Sequence, residues 1–210
     1  MLSEYLYPGD LFLIPNKTFL MMGGITASKI ESVTFQIDGT VVFSDNMADW
    51  PRQGNGRVLH CIHFHNFTNV TFTSSGVGVL DGQGDTWWGV PGIGYLVRGE
   101  NRPNLFRIDD SKDILIENLL FLNSPCWTFN AQHVDGLEVR YSEISVRWTE
   151  DDHHGMIDIT AFNTDGFDVT GRNVWIHDCV VWNQDDCIAV KVCQTLLCTL
   201  VMHRILLQIV

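Results

Sequence analysis

The sequence has few charged residues, and they are unbalanced. Charged side chains make up 18% of the 210 residues, with 13 Lys and Arg against 25 Asp and Glu, so the formal net charge is −12. Binding to nucleic acid needs clustered Lys and Arg that neutralise phosphates, and this composition argues against such a partner. Hydrophobic residues reach 45%, which excludes a disordered chain and indicates one domain with a single core.

Signals for metal binding and for targeting are also scarce. The six cysteines form no Cys-x-x-Cys pair, so a zinc site is not indicated. We interpret the acidic, His-containing residues 150–154 as a solvated loop, and we expect neither a metal nor a cofactor. Residues 1–25 lack the basic start and the apolar core of a signal peptide, so we expect the chain to begin inside a longer gene product. Asn-x-Thr triplets at Asn16, Asn66 and Asn69 are candidate glycosylation sites that give mild support to secretion.

Short apolar segments recur along the chain, and no long helical stripe separates them. The segment that starts at Ile114 is followed after 23 residues by one at Leu137, and after a further 37 residues by one at Val174. We attribute the longer second step to an inserted stretch at residues 147–159. This pattern predicts a solenoid of stacked coils, in which alternate side chains point into the lumen. An antiparallel sandwich is the alternative fold, because isolated strands look alike.

A second repeat carries acidic residues at its start. Residues 164–169 match residues 185–190 after a shift of 21, which aligns Asp165 with Asp186. Coils of a parallel β-helix stack about 4.8 Å apart, so these carboxylates and that of Asp185 would meet on the outer wall. Strand alternation would point Asp185 the other way, so we expect it in a turn or bulge. Such carboxylates can act as general acid and base, although a plain turn and a solvated corner are the alternative interpretation.

The acidic residues belong to a longer pattern that resembles a known family. Asn163-Thr164-Asp165 followed by Gln184-Asp185-Asp186 is similar to the first two signatures of the polygalacturonases, family 28 of the glycoside hydrolases. Asp81-Gly82-Gln83-Gly84 resembles an upstream motif of that family. Arg102-Pro103 and the run Asn123-Ser124-Pro125-Cys126-Trp127 resemble a further one. Each motif alone is weak, but their order and spacing together are specific.

The resemblance implies both a fold and a reaction. The fold is an all-β, right-handed parallel β-helix, and the reaction is the inverting hydrolysis of α-1,4-galacturonosidic bonds in pectin, outside the cell. Asp185 would be the general acid, and Asp165 and Asp186 would be the bases that activate water. An inverting acid and base stand roughly 6.5–9.5 Å apart. Lys191 is the cation next to these acids in the sequence, and we expect a weak contact between it and the substrate.

The sequence departs from the family after Lys191. The family continues with a Gly-His-Gly motif and later an Arg-Ile-Lys motif, and neither is present in residues 192–210. We therefore predict a partial hydrolase domain in residues 1–191, truncated at its C-terminal end, and an apolar tail outside the family in residues 192–210. The tail is too short for a membrane span. Because few cations accompany the acids, we expect this chain to hydrolyse pectate poorly or not at all.

Two other functions stay open. A β-helix that binds carbohydrate or has a structural role, without catalysis, would agree with the missing motifs. An enzyme that resembles the pectate lyases would use calcium and an arginine base, and it would release unsaturated products. We expect a monomer that acts on a pectic polysaccharide and binds neither nucleic acid nor membrane. The sequence leaves open which pectic polymer is cleaved and whether the action is endo or exo.

Overall fold

The chain folds into a solenoid of short strands. The computed structural model describes residues 4–89, 101–148, 160–191 and 200–207, the last of these by their backbone alone. The strands are β1 (Leu11–Ile14), β2 (Thr18–Met21), β3 (Ile25–Ser28), β4 (Thr34–Ile37), β5 (Thr40–Phe43), β6 (Ile62–His65), β7 (Thr68–Thr73), β8 (Gly78–Asp81), β9 (Phe106–Asp109), β10 (Lys112–Glu117), β11 (Leu119–Leu122), β12 (Phe129–Arg140), β13 (Glu143–Ser145), β14 (Phe167–Trp182), β15 (Ile188–Val190) and β16 (Leu200–Leu207). A short 3-10 helix, Gly84–Thr86, follows β8.

The strands form three faces, because each coil adds a strand to each face in turn. The first face, here called the site sheet, contains β3, β6, β9, the starts of β12 and β14, and β15. The second contains β1, β4, β7, β10, the later part of β12, the middle of β14 and the start of β16. The third contains β2, β5, β8, β11, β13 and the ends of β14 and β16. All of these pairings are parallel, which confirms the β-helix and excludes the sandwich.

The strand register agrees with the repeats in the sequence. Ile114 lies beside Leu137, and Leu137 lies beside Val174, as the shifts of 23 and 37 residues predict. Alternate side chains of these strands fill the lumen, and the buried ones are Ile114, Ile116, Leu137, Val139, Val174 and Ile176. Burying each such side chain stabilises the fold by roughly 1.5–3 kcal/mol.

Phenylalanines stack along the inner side of the site sheet. The ring centroid of Phe106 lies 5.5 Å from that of Phe129, and the ring of Phe129 lies 5.6 Å from that of Phe167. All three rings are buried. Aromatic pairs at such distances contribute about 0.5–1.5 kcal/mol each beyond their burial. This ladder holds adjacent coils in register beneath the outward-facing residues of the site sheet.

Two tryptophans after β8 are packing residues. Trp87 and Trp88 are buried, and the indole N–H of Trp88 donates to the carbonyl of Ser124 at 3.0 Å. A Cβ added to Gly84 would lie 2.5 Å from the same carbonyl oxygen, so the close approach requires glycine. The Asp81-Gly82-Gln83-Gly84 motif therefore anchors one coil on the next.

The end of the described chain continues the coil path. Strand β16 pairs with β14 in parallel, with Leu200 beside Val174 and Leu207 beside Val181. The predicted boundary at residue 191 between a hydrolase domain and a separate tail stays a prediction. Residues 150–154, which we interpreted as a solvated loop, lie outside the described residues. Within the described part of the chain, no helix is long and apolar enough to cross a membrane.

Candidate active site

Three aspartates meet where turns lead into the site sheet. Asp165 lies just before β14, and Asp185 and Asp186 lie between β14 and β15. One carboxylate oxygen of each residue lies within 4.8 Å of the others. The structure thus brings together the three acids that the sequence singled out, and Asp185 occupies a bend, as predicted.

The distance between whole carboxyl groups is a different quantity from the distance between their nearest oxygens. The value of 4.8 Å refers to the nearest oxygens, whereas the roughly 6.5–9.5 Å of an inverting acid and base refers to the carboxyl groups. The expected separation, and inversion with it, therefore stays a prediction that the anomer of the product tests.

Stacked turns hold Asp165 and Asp186 on adjacent coils. The N–H of Gly166 donates to the carbonyl of Asp186 at 2.9 Å. A Cβ at position 166 would lie 2.4 Å from the carbonyl oxygen of Cys187, so only glycine allows the two coils to approach this closely. The glycine that follows Asn163-Thr164-Asp165 is thus required by the stacking of the site turns.

Buried side chains of the same turns complete this connection. The hydroxyl of Thr164 donates to the carbonyl of Ala161 at 2.8 Å and accepts the N–H of Gln184 at 3.2 Å. The amide of Asn183 donates to the carbonyl of Thr164 at 3.1 Å and to that of Asp186 at 3.0 Å. These hydrogen bonds of Thr164 and Asn183 join the turn that carries Asp165 to the turn that carries Asp185 and Asp186.

Asp185 is exposed and held in one orientation by two backbone amides. Its Oδ2 accepts the N–H of Asn163 at 3.0 Å, and its Oδ1 accepts the N–H of Asp186 at 2.9 Å. Hydrogen bonds from amides to a carboxylate are among the stronger ones in proteins. Asp185 is therefore fixed at the surface, where a ligand can reach it, and Asn163 contributes through its backbone.

Asp165 is the buried member of the group. Its side chain oxygen Oδ1 accepts no hydrogen bond from the residues that the structure describes, and the residue is 5% exposed. Burial, followed by the negative charges of Asp168 and Asp185, raises the pKa of Asp165 from 3.8 to about 7. At mildly acidic pH, Asp165 therefore keeps its proton in the unliganded site.

Asp168, which the motifs did not mark as a site residue, completes the electrostatics of the site. The ammonium of Lys191 lies 2.8 Å from Asp168 Oδ1 and 3.9 Å from Asp165 Oδ2. It also lies 5.4 Å from the centroid of the Trp127 ring. Burial raises the pKa of Asp168, and its hydrogen bond with Lys191 opposes that rise. Lys191 is thus the counter-ion of two buried carboxyls, and a contact between it and the substrate stays a prediction.

Strand alternation is the signal that could have identified Asp168. Its neighbours Phe167 and Val169 are apolar and point into the lumen, so Asp168 must face the outer side of β14. In the register of β14 and β15, Asp168 lies beside Ala189. Lys191 follows Ala189 by two residues, so strand alternation places Asp168 and Lys191 on the same outer face.

A buried arginine supports the turns around the site. One terminal nitrogen of Arg102 donates to the carbonyl of Pro125 at 2.8 Å, and the other donates to that of Phe162 at 2.7 Å. Pro125 precedes β12, and Phe162 precedes the turn that carries Asp165. The Arg-Pro and Asn-Ser-Pro motifs are therefore parts of one framework beneath the acids.

Comparison with known proteins decides the family. The sequence profile of "Glycosyl hydrolases family 28" matches residues 10–203. The chain belongs to family 28 of the glycosyl hydrolases. The assignment predicted from the motifs is thereby confirmed, and the match extends beyond residue 191, where we expected the similarity to end.

Relatives of this family 28 member differ in the activities for which they are named. A polygalacturonase of Chamaecyparis obtusa is 29% identical over 189 residues, which cover 86% of this chain and 33% of the relative. A probable rhamnogalacturonase B of Neosartorya fischeri is 26% identical over 186 residues, which cover 87% and 30%. The structure of a hyperthermoactive exopolygalacturonase of Thermotoga maritima matches with a TM-score of 0.63 at 19% identity, over 89% of this chain and 47% of that one. The chain spans about a third of the length of these two curated relatives.

Proposed function

We propose that the site formed by Asp165, Asp185 and Asp186 hydrolyses α-1,4-galacturonosidic bonds in the backbone of pectin. The observation that carries this proposal is the convergence of three carboxyls in two environments. Asp165 is buried and has a pKa raised to about 7, whereas Asp185 and Asp186 are exposed. Carboxyls in different environments can hold different protonation states, which general acid–base catalysis requires.

We assign the roles of the acids from their positions and from the resemblance to the family. Asp185 faces solvent, takes up a proton from it, and donates that proton to the leaving oxygen of the glycosidic bond. Asp186 activates the attacking water in its ionised form. Asp165 shares that water, as a hydrogen-bond donor below pH about 7 and as a second base above it, because its pKa is raised to about 7.

The pH profile of kcat tests this division between the two bases. If Asp186 is the working base, activity is present at mildly acidic pH, where Asp165 is protonated. If only Asp165 serves as base, activity rises as pH approaches 7. Asp165→Asn separates the two cases, because it should leave activity at acidic pH under the first mechanism and none at any pH under the second.

We infer a substrate that contains galacturonic acid, and action outside the cell by a monomer. Two relatives carry the names polygalacturonase and rhamnogalacturonase, which agree on a galacturonate-containing polymer. The cation closest to the acids in sequence, Lys191, is engaged by Asp168, so the described residues of the site offer little positive charge to a substrate. We therefore expect weak activity from residues 1–210 and stronger activity from a version extended by the family's Gly-His-Gly and Arg-Ile-Lys motifs.

Release of reducing ends from polygalacturonate and rhamnogalacturonan tests the proposal. Asp185→Asn should lower the rate of release by about 10²–10⁴-fold, whereas Asp45→Asn, in an exposed loop after β5, is the matched control and should leave it unchanged. NMR of the first-formed products gives the anomer, and inversion predicts a β reducing end. Binding of the polymer without any release by the extended version would instead indicate a carbohydrate-binding β-helix.

A lyase is the second candidate, because three carboxylates within 4.8 Å can also hold a divalent cation. Calcium bound there would supply the positive charge that a lyase needs to stabilise a carbanion. Such an enzyme would be inhibited by a chelator and would form unsaturated products that absorb ultraviolet light. Hydrolysis that continues in chelator and yields saturated products would exclude this candidate.

A further inference from the structure

A second cluster of polar side chains lies on the site sheet, nearer to the first coils. His63 and His65 both face outward from β6, and their ring centroids are 4.1 Å apart. Strand β9 places Asp109 beside His65, and Nε2 of His63 lies 2.8 Å from Oδ2 of Asp109. One ligating atom from each of the three residues lies within 4.8 Å of the others. Three coil steps separate β6 from β14, so the cluster lies roughly 14 Å from the acids along the solenoid.

The chemistry of these donors selects a class of ligand. Two imidazoles and one carboxylate are a common donor set for zinc and other divalent transition metals, whereas calcium and magnesium prefer oxygen donors alone. The side chains of His63 and Asp109 are 22% and 12% exposed, so the group is open to solvent on one side. We propose that His63, His65 and Asp109 bind a divalent transition-metal ion, with zinc as the first candidate, and leave coordination positions open to solvent.

Neighbouring residues hold the proposed ligands in place. Nε of Arg107 donates to both oxygens of Asp109, at 3.0 and 2.9 Å. The ring of His60 meets that of His63 edge-on at 5.4 Å, and Nδ1 of His60 accepts the N–H of Asn104 at 3.1 Å. Such outer contacts orient the ligands of metal sites. A carboxylate has about four acceptor positions, so Asp109 can bind a metal while it keeps Arg107.

The charge of Arg107 gives the proposal its sharpest test. A guanidinium beside the metal position repels a cation, so Arg107→Gln should strengthen metal binding while it preserves a hydrogen-bond donor. If His63, Asp109 and Arg107 form only a structural network, the same substitution would have no effect on metal affinity, because no metal would bind at this cluster.

Competition with a chromophoric chelator measures the zinc affinity of the purified, metal-free chain. The absorption spectrum of the chain with cobalt in place of zinc shows whether nitrogen and oxygen atoms are the ligands. His65→Ala and Asp109→Asn should each weaken binding by about tenfold or more. The matched control is His133→Ala, which removes an exposed imidazole that lies 3.3 Å from Asp110 and outside the proposed set of ligands. The measurements are repeated in a His153→Ala/His154→Ala background, so that zinc bound by these two consecutive histidines is not counted.

Circular dichroism and thermal unfolding without metal show whether each variant is folded. His65→Ala keeps the contacts between Asp109 and Arg107, so it tests the site even if Asp109→Asn is unstable. Equal zinc affinity of the parent chain and of folded His65→Ala would overturn the proposal, and so would the absence of zinc binding in the parent chain. Weaker binding in His65→Ala, unchanged binding in His133→Ala and tighter binding in Arg107→Gln would support it.

Discussion

Replacing Asp165 with Asn should stabilise the protein at neutral pH. The carboxyl is buried, and its Oδ1 accepts no hydrogen bond from the described residues. Burial, Asp168 and Asp185 raise its pKa to about 7, so the folded state disfavours the charged form. Asparagine has nearly the same shape and no charge, so the variant avoids this penalty.

The magnitude follows from the difference between the folded and unfolded pKa values of Asp165. An unfolded aspartate titrates near pH 3.9, and below that pH both states are protonated and the free energy of unfolding is unaffected. Between about pH 4 and about pH 7 the unfolded chain loses this proton first, so stability falls as pH rises, by up to about 1.4 kcal/mol per unit. Over roughly three units the limit is about 4 kcal/mol, and relaxation around the charge reduces it. We expect about 2–4 kcal/mol.

Urea denaturation at about pH 4.5 and about pH 7.5 measures this effect. The loss of stability between the two pH values should be about 2–3 kcal/mol smaller in Asp165→Asn than in the parent chain, because part of the effect is already present at about pH 4.5. Asp45→Asn is the control for removal of an exposed carboxylate and should behave as the parent chain does. Equal pH dependence in the parent chain and in Asp165→Asn would refute the reasoning, because it would show that burial does not perturb this carboxyl.

Other substitutions test the stacking, the core and the counter-ion. Gly166→Ala places a Cβ 2.4 Å from the carbonyl oxygen of Cys187 and should destabilise by about 1–3 kcal/mol in urea; unchanged stability would contradict the close approach. Ile116→Ala, in the lumen, should destabilise by about 2–5 kcal/mol, and a loss below 1 kcal/mol would argue against the lumen position. Lys191→Met should raise the pKa of Asp168, seen by carboxyl NMR, because the substitution removes its counter-ion; an unchanged titration would exclude the ion pair.

The regular part of the fold was predictable because the coil period is visible in the sequence. Ile114, Leu137 and Val174 follow each other at the shifts that the register shows. The same applies to Asp165 and Asp186, whose strands pair at a shift of 21 residues. Short strands joined by short turns keep their period, so equivalent positions can be aligned without a structure.

The remaining contacts depend on loops of variable length, which hide the period. His63 lies beside Arg107, 44 residues later, whereas Arg107 lies beside Asn130 after only 23. No constant shift relates these residues, so the cluster around Asp109 could not be found from the repeat. The distances between the carboxyl oxygens of Asp165, Asp185 and Asp186 were not predictable for a related reason, since turn geometry, and not the coil period, sets them.

The most direct test of the proposed function is the rate of reducing-end release from polygalacturonate at mildly acidic pH. It compares the version extended by the Gly-His-Gly and Arg-Ile-Lys motifs with its Asp185→Asn and Asp45→Asn variants. We predict hydrolysis to saturated products by the extended version and by Asp45→Asn, and a rate lower by about 10²–10⁴-fold in Asp185→Asn. A folded Asp185→Asn variant that retains the full rate would show that these three acids are not the catalytic site.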